Sequence, residues 1–237
     1  MGSQGLKVEE INLKVAQYWS VKVTDETVST QIDLANNFHP GKVLVAEYQS
    51  GGRGRLDRKF EVPRGKGLTF SFCISTDDYF GWIPLITGLA VAKAINKYAK
   101  KNLVSIKWPN DLLIGEAKLA GILSEKVADG AVVGVGINIY QTQPELPIEN
   151  AVSLSMKIDV DRNDLLVIIL NELGELLNNI ESHQNEYREL CSTLGKTVQV
   201  TMPNGQLVEG KALGISSSGA LLLDSLEISV GDIVHLR

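Results

Sequence analysis

Glycines and arginines alternate in residues 47–60, and these residue types suit the binding of a small anion. Gly51, Gly52 and Gly54 permit tight turns and let backbone N–H groups approach a ligand closely. The same stretch carries three planar, permanently charged groups that match carboxylate and phosphate oxygens: Arg53, Arg55 and Arg58. Taken alone, the pattern leaves open a flexible surface loop whose arginines are solvated or touch nucleic acid.

Composition narrows this choice. The chain has 237 residues, a formal net charge of −5 and a charged fraction of 22%, as in a globular protein with a large core. A general nucleic-acid binder is normally basic. The arginines are therefore a local feature of an acidic chain, and we expect a small anionic ligand and no nucleic acid.

The cysteines, the apolar segments and the histidines of the sequence give expectations about cellular compartment and bound metal. Cys73 and Cys191 are far apart in the sequence and are expected to be buried thiols without a disulfide. The first residues do not resemble a secretion signal and no apolar run reaches about 18 residues, so we expect a cytoplasmic protein without membrane spans. The three histidines are too scattered to indicate a zinc site.

The elements that would position the arginine loop read as an α+β fold. We predict helices over residues 24–38, from Pro84 onwards, and over 161–180, because apolar residues recur there at helical spacing. Strand-like runs occupy residues 42–48, 67–75, 105–108, 112–114, 119–127 and 131–139. Hairpin-like turns separate the later strands, which favours an antiparallel or mixed sheet.

The pattern changes near residue 191. Short strands over residues 197–202, 206–214, 220–223 and 232–236 follow one another without a helix. We therefore predict two domains, a catalytic domain over residues 1–190 and a small β-barrel over residues 191–237.

Four motifs occur in an order and at a spacing that resemble the biotin protein ligases. They are Gly-Arg-Gly-Arg at 52–55 with Arg58 following, Lys-Trp-Pro-Asn-Asp at 107–111, Lys-Leu-Ala-Gly-Ile-Leu at 118–123 and Gly-Val-Gly-Ile-Asn at 134–138. The resemblance implies a central mixed β-sheet flanked by helices, shared distantly with lipoyl ligases, and a C-terminal SH3-like barrel. The chain is most similar to the monofunctional subgroup, which lacks an N-terminal DNA-binding domain.

The resemblance also implies a two-step reaction that uses Mg²⁺. Biotin and ATP would give biotinyl-5′-AMP and pyrophosphate, and a lysine of a biotin carboxyl carrier protein would then take the biotinyl group. Attack of a carboxylate on a phosphate brings two anions together, so positive charge must gather around them. By resemblance, that charge comes from Arg55, Arg58 and Lys118, and a mobile glycine-jointed loop would shield the product from water.

Other site residues are implied by the same resemblance. Hydrogen-bonding groups for the ureido head of biotin would be Ser29, Thr30, Gln31 and Gln49. Close approach of backbone to the ligand would depend on Gly54, Gly121, Gly134 and Gly136, and Arg53 would join the nucleotide contacts. Two positions depart from the family pattern: Gln31 replaces a usual Asn, and Phe60 replaces a usual Trp.

Three residues keep alternative interpretations. Trp108 is either core packing or part of the nucleotide site. Asp111 is a metal ligand, a base for the incoming lysine, or a turn residue. Asn138 binds Mg²⁺ or nucleotide, or only ends a strand. The metal ligands therefore stay open, with the phosphates of ATP as the main expected partner of Mg²⁺.

Two rival functions remain at this stage. One is a lipoate or octanoate ligase on the same fold, and the other is a non-catalytic biotin or nucleotide sensor. Sequence alone does not choose between a monomer and a homodimer.

Overall fold

A seven-stranded sheet forms the centre of the larger unit in the computed structural model, which describes residues 5–55, 58–76, 79–127, 130–224 and 226–236. The strands are β1 (Ser20–Thr24), β2 (Lys42–Ala46), β3 (Gly67–Ile74), β4 (Ser105–Lys107), β5 (Asp111–Ile114), β6 (Ala117–Val127) and β7 (Gly130–Asn138). Their spatial order is β1-β2-β3-β7-β6-β5-β4. Only β1 and β2 run parallel, so the sheet is mixed, as predicted.

Helices cover both faces of this sheet. They are α1 (Val8–Lys14), α2 (Thr30–Asn36), α3 (Ile83–Ala99), α4 (Arg162–Leu177) and α5 (Ile180–Leu190). The large core lies on one face, where Phe70 and Phe72 of β3 pack with residues of α3 and α4. On the opposite face Leu34 of α2 packs against Cys73 and Val132. The alternation of β3 thus sends neighbouring side chains to opposite faces.

The predicted helix over 24–38 is wrong at its start. Residues 24–28 run beside the end of β2: the Glu47 N–H donates to Thr24 O at 3.0 Å, and the Thr27 N–H donates to Tyr48 O at 3.2 Å. These contacts satisfy the backbone in an extended form. The helix therefore begins only at Thr30, with Ser29 at the N-cap position.

The predicted helix over 161–180 is two helices. Asp161 caps the first by accepting from the Asn163 and Asp164 N–H groups, and that helix ends at Leu177. Asn179 then caps α5 by accepting from the Ser182 N–H at 3.4 Å. Sequence reasoning assigned no element to α1, β1 or α5. Only Ile11 of α1 is buried, so its pattern carries almost no periodic signal.

The C-terminal unit is a five-stranded antiparallel sheet. Its strands are β8 (Thr197–Thr201), β9 (Leu207–Ile215), β10 (Leu221–Leu223), β11 (Leu226–Ile228) and β12 (Asp232–His235), in the order β11-β10-β9-β8-β12. Sequence reasoning missed β11, which has three residues and buries only Ile228. The division predicted at residues 190 and 191 stays a prediction; α5 ends at Leu190.

Two buried indoles join the C-terminal unit to the larger one. Trp82 Nε1 donates to Ser217 O at 2.9 Å, and Trp108 Nε1 donates to Gly219 O at 3.0 Å. Both bonds reach the turn between β9 and β10, so this turn is fixed against the larger unit. Within the described ranges, no helix combines the length and apolar character needed to cross a bilayer.

Candidate functional site

A cavity of about 180 Å³ opens on the face of the sheet that carries α2. A single buried water needs only roughly 10–15 Å³, so the cavity has room for a small organic molecule. Its lining joins residues that are far apart in sequence: the start of α2, the centres of β3, β6 and β7, the arginine loop, and Asp232 of the C-terminal unit.

One end of the cavity is a hydrogen-bonding slot. Gln49 Oε1 accepts from the Thr30 backbone N–H at 2.8 Å and from Thr30 Oγ1 at 3.0 Å. Thr30 Oγ1 also lies 2.7 Å from Ser71 Oγ. Ser29 is buried beside them. These contacts hold hydroxyl and amide groups at the cavity wall, where they suit a small polar head group.

Gln31 lies in the same slot, as its place in the motif predicts. Its Nε2 donates weakly to Leu123 O and Val132 O, at 3.3 and 3.4 Å. Gly134 makes room for it: a Cβ at that position would lie 2.8 Å from Gln31 Oε1. The longer arm of Gln31, compared with Asn, is therefore accommodated by a glycine on the facing strand.

Two further glycines keep the cavity floor open. A Cβ on Gly136 would lie 2.4 Å from the Phe60 ring, so the loop aromatic packs directly on the backbone of β7. A Cβ on Gly121 would meet Lys118 Nζ at 3.6 Å, which is ordinary contact. Gly136 is thus required by close packing, whereas Gly121 only borders the lysine.

The arginine loop is closed at its base. The Gly65 N–H donates to Glu47 O at 2.9 Å, and the Phe60 N–H donates to Gly52 O at 2.9 Å. Glu47 is itself held by Arg162, whose Nη1 lies 2.7 Å from Glu47 Oε2 with only 1% of the arginine side chain exposed. A buried ion pair therefore anchors the strand end from which the loop departs. Leu56 and Asp57 of this loop lie outside the described residues.

Arg55 points into the cavity and is the most enclosed of the three arginines. Its Nη1 donates to Asn110 Oδ1 at 3.1 Å and to Gly231 O at 3.3 Å, and lies 3.8 Å from Asp232 Oδ1. Burial lowers the pKa of Arg55, while the charges of Asp232 and Asp111 oppose that shift. The guanidinium stays charged, because its ordinary pKa is far above neutrality.

Arg58 and Arg53 are held on opposite sides of the loop. Arg58 forms an ion pair with Asp232, and both residues line the cavity. Arg53 Nη2 lies 3.0 Å from Glu125 Oε1 on β6, with 41% of its side chain exposed. Gly54, between Arg53 and Arg55, donates its N–H to Arg58 O at 2.7 Å and so tightens the loop.

Lys118 of β6 lines the same cavity as the three arginines. Its Nζ is 2.6 Å from Asp111 Oδ1, and both side chains are partly exposed to the cavity. The ammonium and guanidinium groups thus face one enclosed space from a strand and from a loop. This arrangement can bind an elongated molecule with a polar head and an anionic tail.

Of the two interpretations of Trp108, the structure favours core packing, because Trp108 does not line the cavity. Its side chain is 1% exposed and its indole N–H is used by Gly219 O. Packing and this one hydrogen bond explain why a Trp occupies the position.

Asn138 lines the cavity, but its polar atoms serve the fold. Its Oδ1 accepts from Gln141 Nε2 at 2.9 Å and its Nδ2 donates to Val152 O at 3.3 Å. It therefore does not fit a metal ligand. Among the described residues no three carboxylate, histidine or cysteine side chains are grouped to hold a metal. Asp111 fits as a single carboxylate ligand beside substrate phosphates, which is how Mg²⁺ is commonly held.

Ser71, Asn110, Ile148 and Asp232 are among the cavity-lining residues that sequence reasoning did not assign to the site. Ser71 occupies a polar position of an alternating strand, and Asn110 lies within the Lys-Trp-Pro-Asn-Asp motif. The sequence therefore contained information that could have assigned both residues to the site. No sequence pattern indicated that Ile148 and Asp232 belong to the site. They reach the cavity from a connecting segment and from the C-terminal unit, which only tertiary structure brings there.

Family models match both parts of the chain. The model for the biotin/lipoate A/B protein ligase family matches residues 20–140, and the model for the biotin protein ligase C terminal domain matches residues 193–236. The two matches fall on the seven-stranded and the five-stranded units.

Relatives and solved structures agree with these models. A biotin–[acetyl-CoA-carboxylase] ligase of Mycobacterium tuberculosis is 33% identical, covering 91% of this chain and 88% of that protein. The bifunctional ligase/repressor BirA of Escherichia coli is 31% identical, covering 85% of this chain and 67% of that protein. The biotin protein ligase of Aquifex aeolicus in complex with biotin and ATP superposes with a TM-score of 0.80 at 30% identity, over 92% of this chain and 99% of that one.

Proposed function

Because the chain belongs to the biotin/lipoate A/B protein ligase family, we propose that it activates biotin with ATP and transfers biotin to a carrier protein. One observation carries the proposal. A single cavity joins the Thr30, Gln49 and Ser71 hydrogen-bonding slot to a positively charged end formed by Lys118 and Arg55. Biotin has this polarity: a ureido head, an apolar body and a carboxylate tail.

The first step forms the mixed anhydride biotinyl-5′-AMP. A carboxylate oxygen of biotin attacks the α-phosphorus of ATP, the bond to the bridging oxygen breaks, and pyrophosphate leaves with that electron pair. Lys118 of β6 and Arg55 of the loop both line the cavity and stabilise the negative charge that accumulates. Arg58 and Arg53 extend the positive field along the loop.

Mg²⁺, when bound with the nucleotide, would neutralise phosphate charge. Asp111 fits this task, since it borders the cavity and its one ion pair among the described residues is with Lys118, whereas Asp232, which also lines the cavity, pairs with Arg58 and Arg55. Binding of the metal–nucleotide pair would require Lys118 to exchange Asp111 for substrate oxygens. We propose no other metal ligand from this chain.

The second step consumes the anhydride. The amine of a carrier lysine attacks the biotinyl carbonyl carbon, an amide bond forms, and AMP leaves. Asp111 is placed to accept the proton that the amine releases, once Lys118 has moved to the substrate. The arginine loop keeps water from the anhydride until the carrier arrives.

The proposal is tested by substrate dependence. Purified protein is incubated with Mg²⁺, ATP and either biotin or lipoate, and pyrophosphate release is measured. A biotin carboxyl carrier domain is then added and its mass is recorded. We expect pyrophosphate release and a biotinyl mass increase with biotin only. Activity with lipoate alone would support the lipoate ligase, and biotin binding without pyrophosphate release would support a sensor.

A further inference from the structure

Lys107 is a partly buried lysine next to the reaction centre that none of the roles above uses. It is the last residue of β4 and pairs directly with Asp111 of β5. Directly paired residues of antiparallel strands project from the same face. Its neighbours Ile106 and Trp108 are buried in the core, so Lys107 projects from the face that carries Asp111.

A second lysine reaches this place from the C-terminal unit. The Trp108 N–H donates to Thr193 Oγ1 at 3.1 Å, and Thr193 Oγ1 lies 3.1 Å from His235 Nε2. His235 Nδ1 in turn accepts from Lys196 Nζ at 3.3 Å. This chain of contacts ties Lys196 to the end of β4. The charge of Lys196 is near enough to lower the pKa of Lys107, although burial is the larger cause.

Burial and the charges of Lys118 and Lys196 lower the pKa of Lys107, and the charges of Asp111 and Asp232 oppose that shift, but neither carboxylate forms an ion pair with Lys107. Within the described part of the chain, neither Lys107 nor Lys196 forms an ion pair, although surface lysines such as Lys7 and Lys66 do. Asp111 is paired with Lys118, and Asp232 is paired with Arg58. Keeping a partly desolvated, unpaired lysine beside other cations is costly. An anion that binds between the two units would remove that cost.

We propose that Lys107 and Lys196 bind the β- and γ-phosphates of ATP, the part that leaves as pyrophosphate. The assignment rests on the proposed function and extends it to the leaving group. In the proposed reaction Lys118 and Arg55 hold the carboxylate and the α-phosphate in the cavity. Lys107 pairs with Asp111, which lines that cavity, and Lys196 is tied to the end of β4 through His235 and Thr193, so both lysines lie at the seam where β4 meets the C-terminal unit. When the bond from the α-phosphorus to the bridging oxygen breaks, the new charge appears on the group that these two lysines contact.

Measuring adenylate formation and biotin transfer separately distinguishes phosphate binding by Lys107 from a structural role. Lys107→Met keeps the length and apolar stem of the side chain, and Lys107→Arg keeps the charge. In biotin-dependent pyrophosphate release, Lys107→Met should raise the KM for ATP by roughly tenfold to a hundredfold and weaken product inhibition by pyrophosphate by a similar factor. Lys107→Arg should recover much of both. Transfer from supplied biotinyl-5′-AMP to the carrier should stay near wild type, because the adenylate has no β- or γ-phosphate.

Lys196→Met should act in the same direction, and Lys211→Met is the matched control on the exposed side of β9. An unchanged KM for ATP and unchanged pyrophosphate inhibition in Lys107→Met would overturn the proposal. A defect in transfer from supplied adenylate, with a raised KM for the carrier, would overturn it too and would assign the seam to the carrier. If the wild-type protein released no pyrophosphate from biotin and ATP, the proposed function itself would fail, which is a separate result.

Discussion

Asp232 forms an ion pair with Arg58, although the two residues are 174 positions apart. Asp232 begins the last strand of the C-terminal unit, and Arg58 belongs to the arginine loop. Asp232 Oδ1 also lies 3.8 Å from Arg55 Nη1. The small unit therefore forms one wall of the cavity and holds the loop in place by charge.

Removing this carboxylate should loosen the loop. In Asp232→Asn the pair is lost, and because Arg58 is 67% exposed we expect a small effect, up to about 1 kcal/mol. The arginines of the loop are trypsin sites, so cleavage there should accelerate roughly two- to fivefold in the ligand-free protein. Biotin with ATP should restore protection. Glu227→Gln, which changes a carboxylate bonded to Ser218 in the same unit, is the control; equal cleavage of both variants would contradict the restraint.

Lys118→Ala should abolish adenylate formation. The other lysine in the cavity lining, Lys59, is 83% exposed on the loop, and removing a preorganised charge such as that of Lys118 commonly costs about a hundredfold or more in rate. Biotin-dependent pyrophosphate release measures the effect. Lys126→Ala, at an exposed position of the same strand, should leave the rate unchanged. A rate for Lys118→Ala near that of the control would remove its assigned role.

Arg55→Gly should let the adenylate escape. The wild-type side chain is 18% exposed and bridges Asn110 to Gly231, so it closes the cavity between the loop and the C-terminal unit. Without it, labelling of bystander lysines should rise roughly tenfold, as judged by a biotin blot of an unrelated protein added without carrier. Glu61→Gly changes an exposed residue that follows the loop and does not line the cavity, and serves as the control. Unchanged selectivity would show that Arg55 does not retain the adenylate.

Trp108→Phe separates packing from nucleotide binding. The change keeps an aromatic ring in the core but leaves Gly219 O without its donor, which should reduce the free energy of unfolding by about 1–3 kcal/mol. Because the indole lies outside the cavity, the KM for ATP should not change at temperatures where the variant is folded. Denaturant unfolding measures the free energy of unfolding, and activity measured against ATP concentration gives the KM for ATP. A raised KM with unchanged stability would restore the nucleotide role.

His235 should make the protein acid-sensitive. Burial, together with the charges of Lys196 and Lys107, lowers the pKa of His235 from 6.5 to about 4. Below 6.5 the unfolded chain then binds more protons than the folded one, so the free energy of unfolding should decrease as pH falls from about 6.5 to about 4. His235→Gln keeps an uncharged donor and acceptor and should flatten this decrease. Parallel slopes for the two proteins in denaturant unfolding between pH 7 and pH 4 would exclude His235 as the cause.

Much of the fold and part of the site were predictable because their signals are local. Alternating apolar residues placed β3 almost to its observed bounds, and the hairpin turns predicted antiparallel pairing of the later strands. The motif order brought Thr30, Gln49, Arg55 and Lys118 into one hypothesis, and the structure brings them to one cavity. Their roles remain predictions until the variants above are measured.

The errors came where distant contacts override local preference. Residues 24–28 have the composition of a helix start but run beside the end of β2, because the backbone of residues 47 and 48 satisfies them there. For Trp108 the motif left two interpretations open, and the turn of the C-terminal unit, which supplies an acceptor for the indole, favours core packing.

The sequence by itself determined the α+β class, the small C-terminal strand unit, the local concentration of positive charge in an acidic chain and the family resemblance. Each of these depends on residue type and short-range spacing. Only the tertiary structure decided that Asp232 restrains the arginine loop, that Glu47 is anchored by Arg162 and that Lys107 and Lys196 share one seam. Such pairings join residues that lie far apart in the chain, and no local pattern of residue types encodes the distance between them.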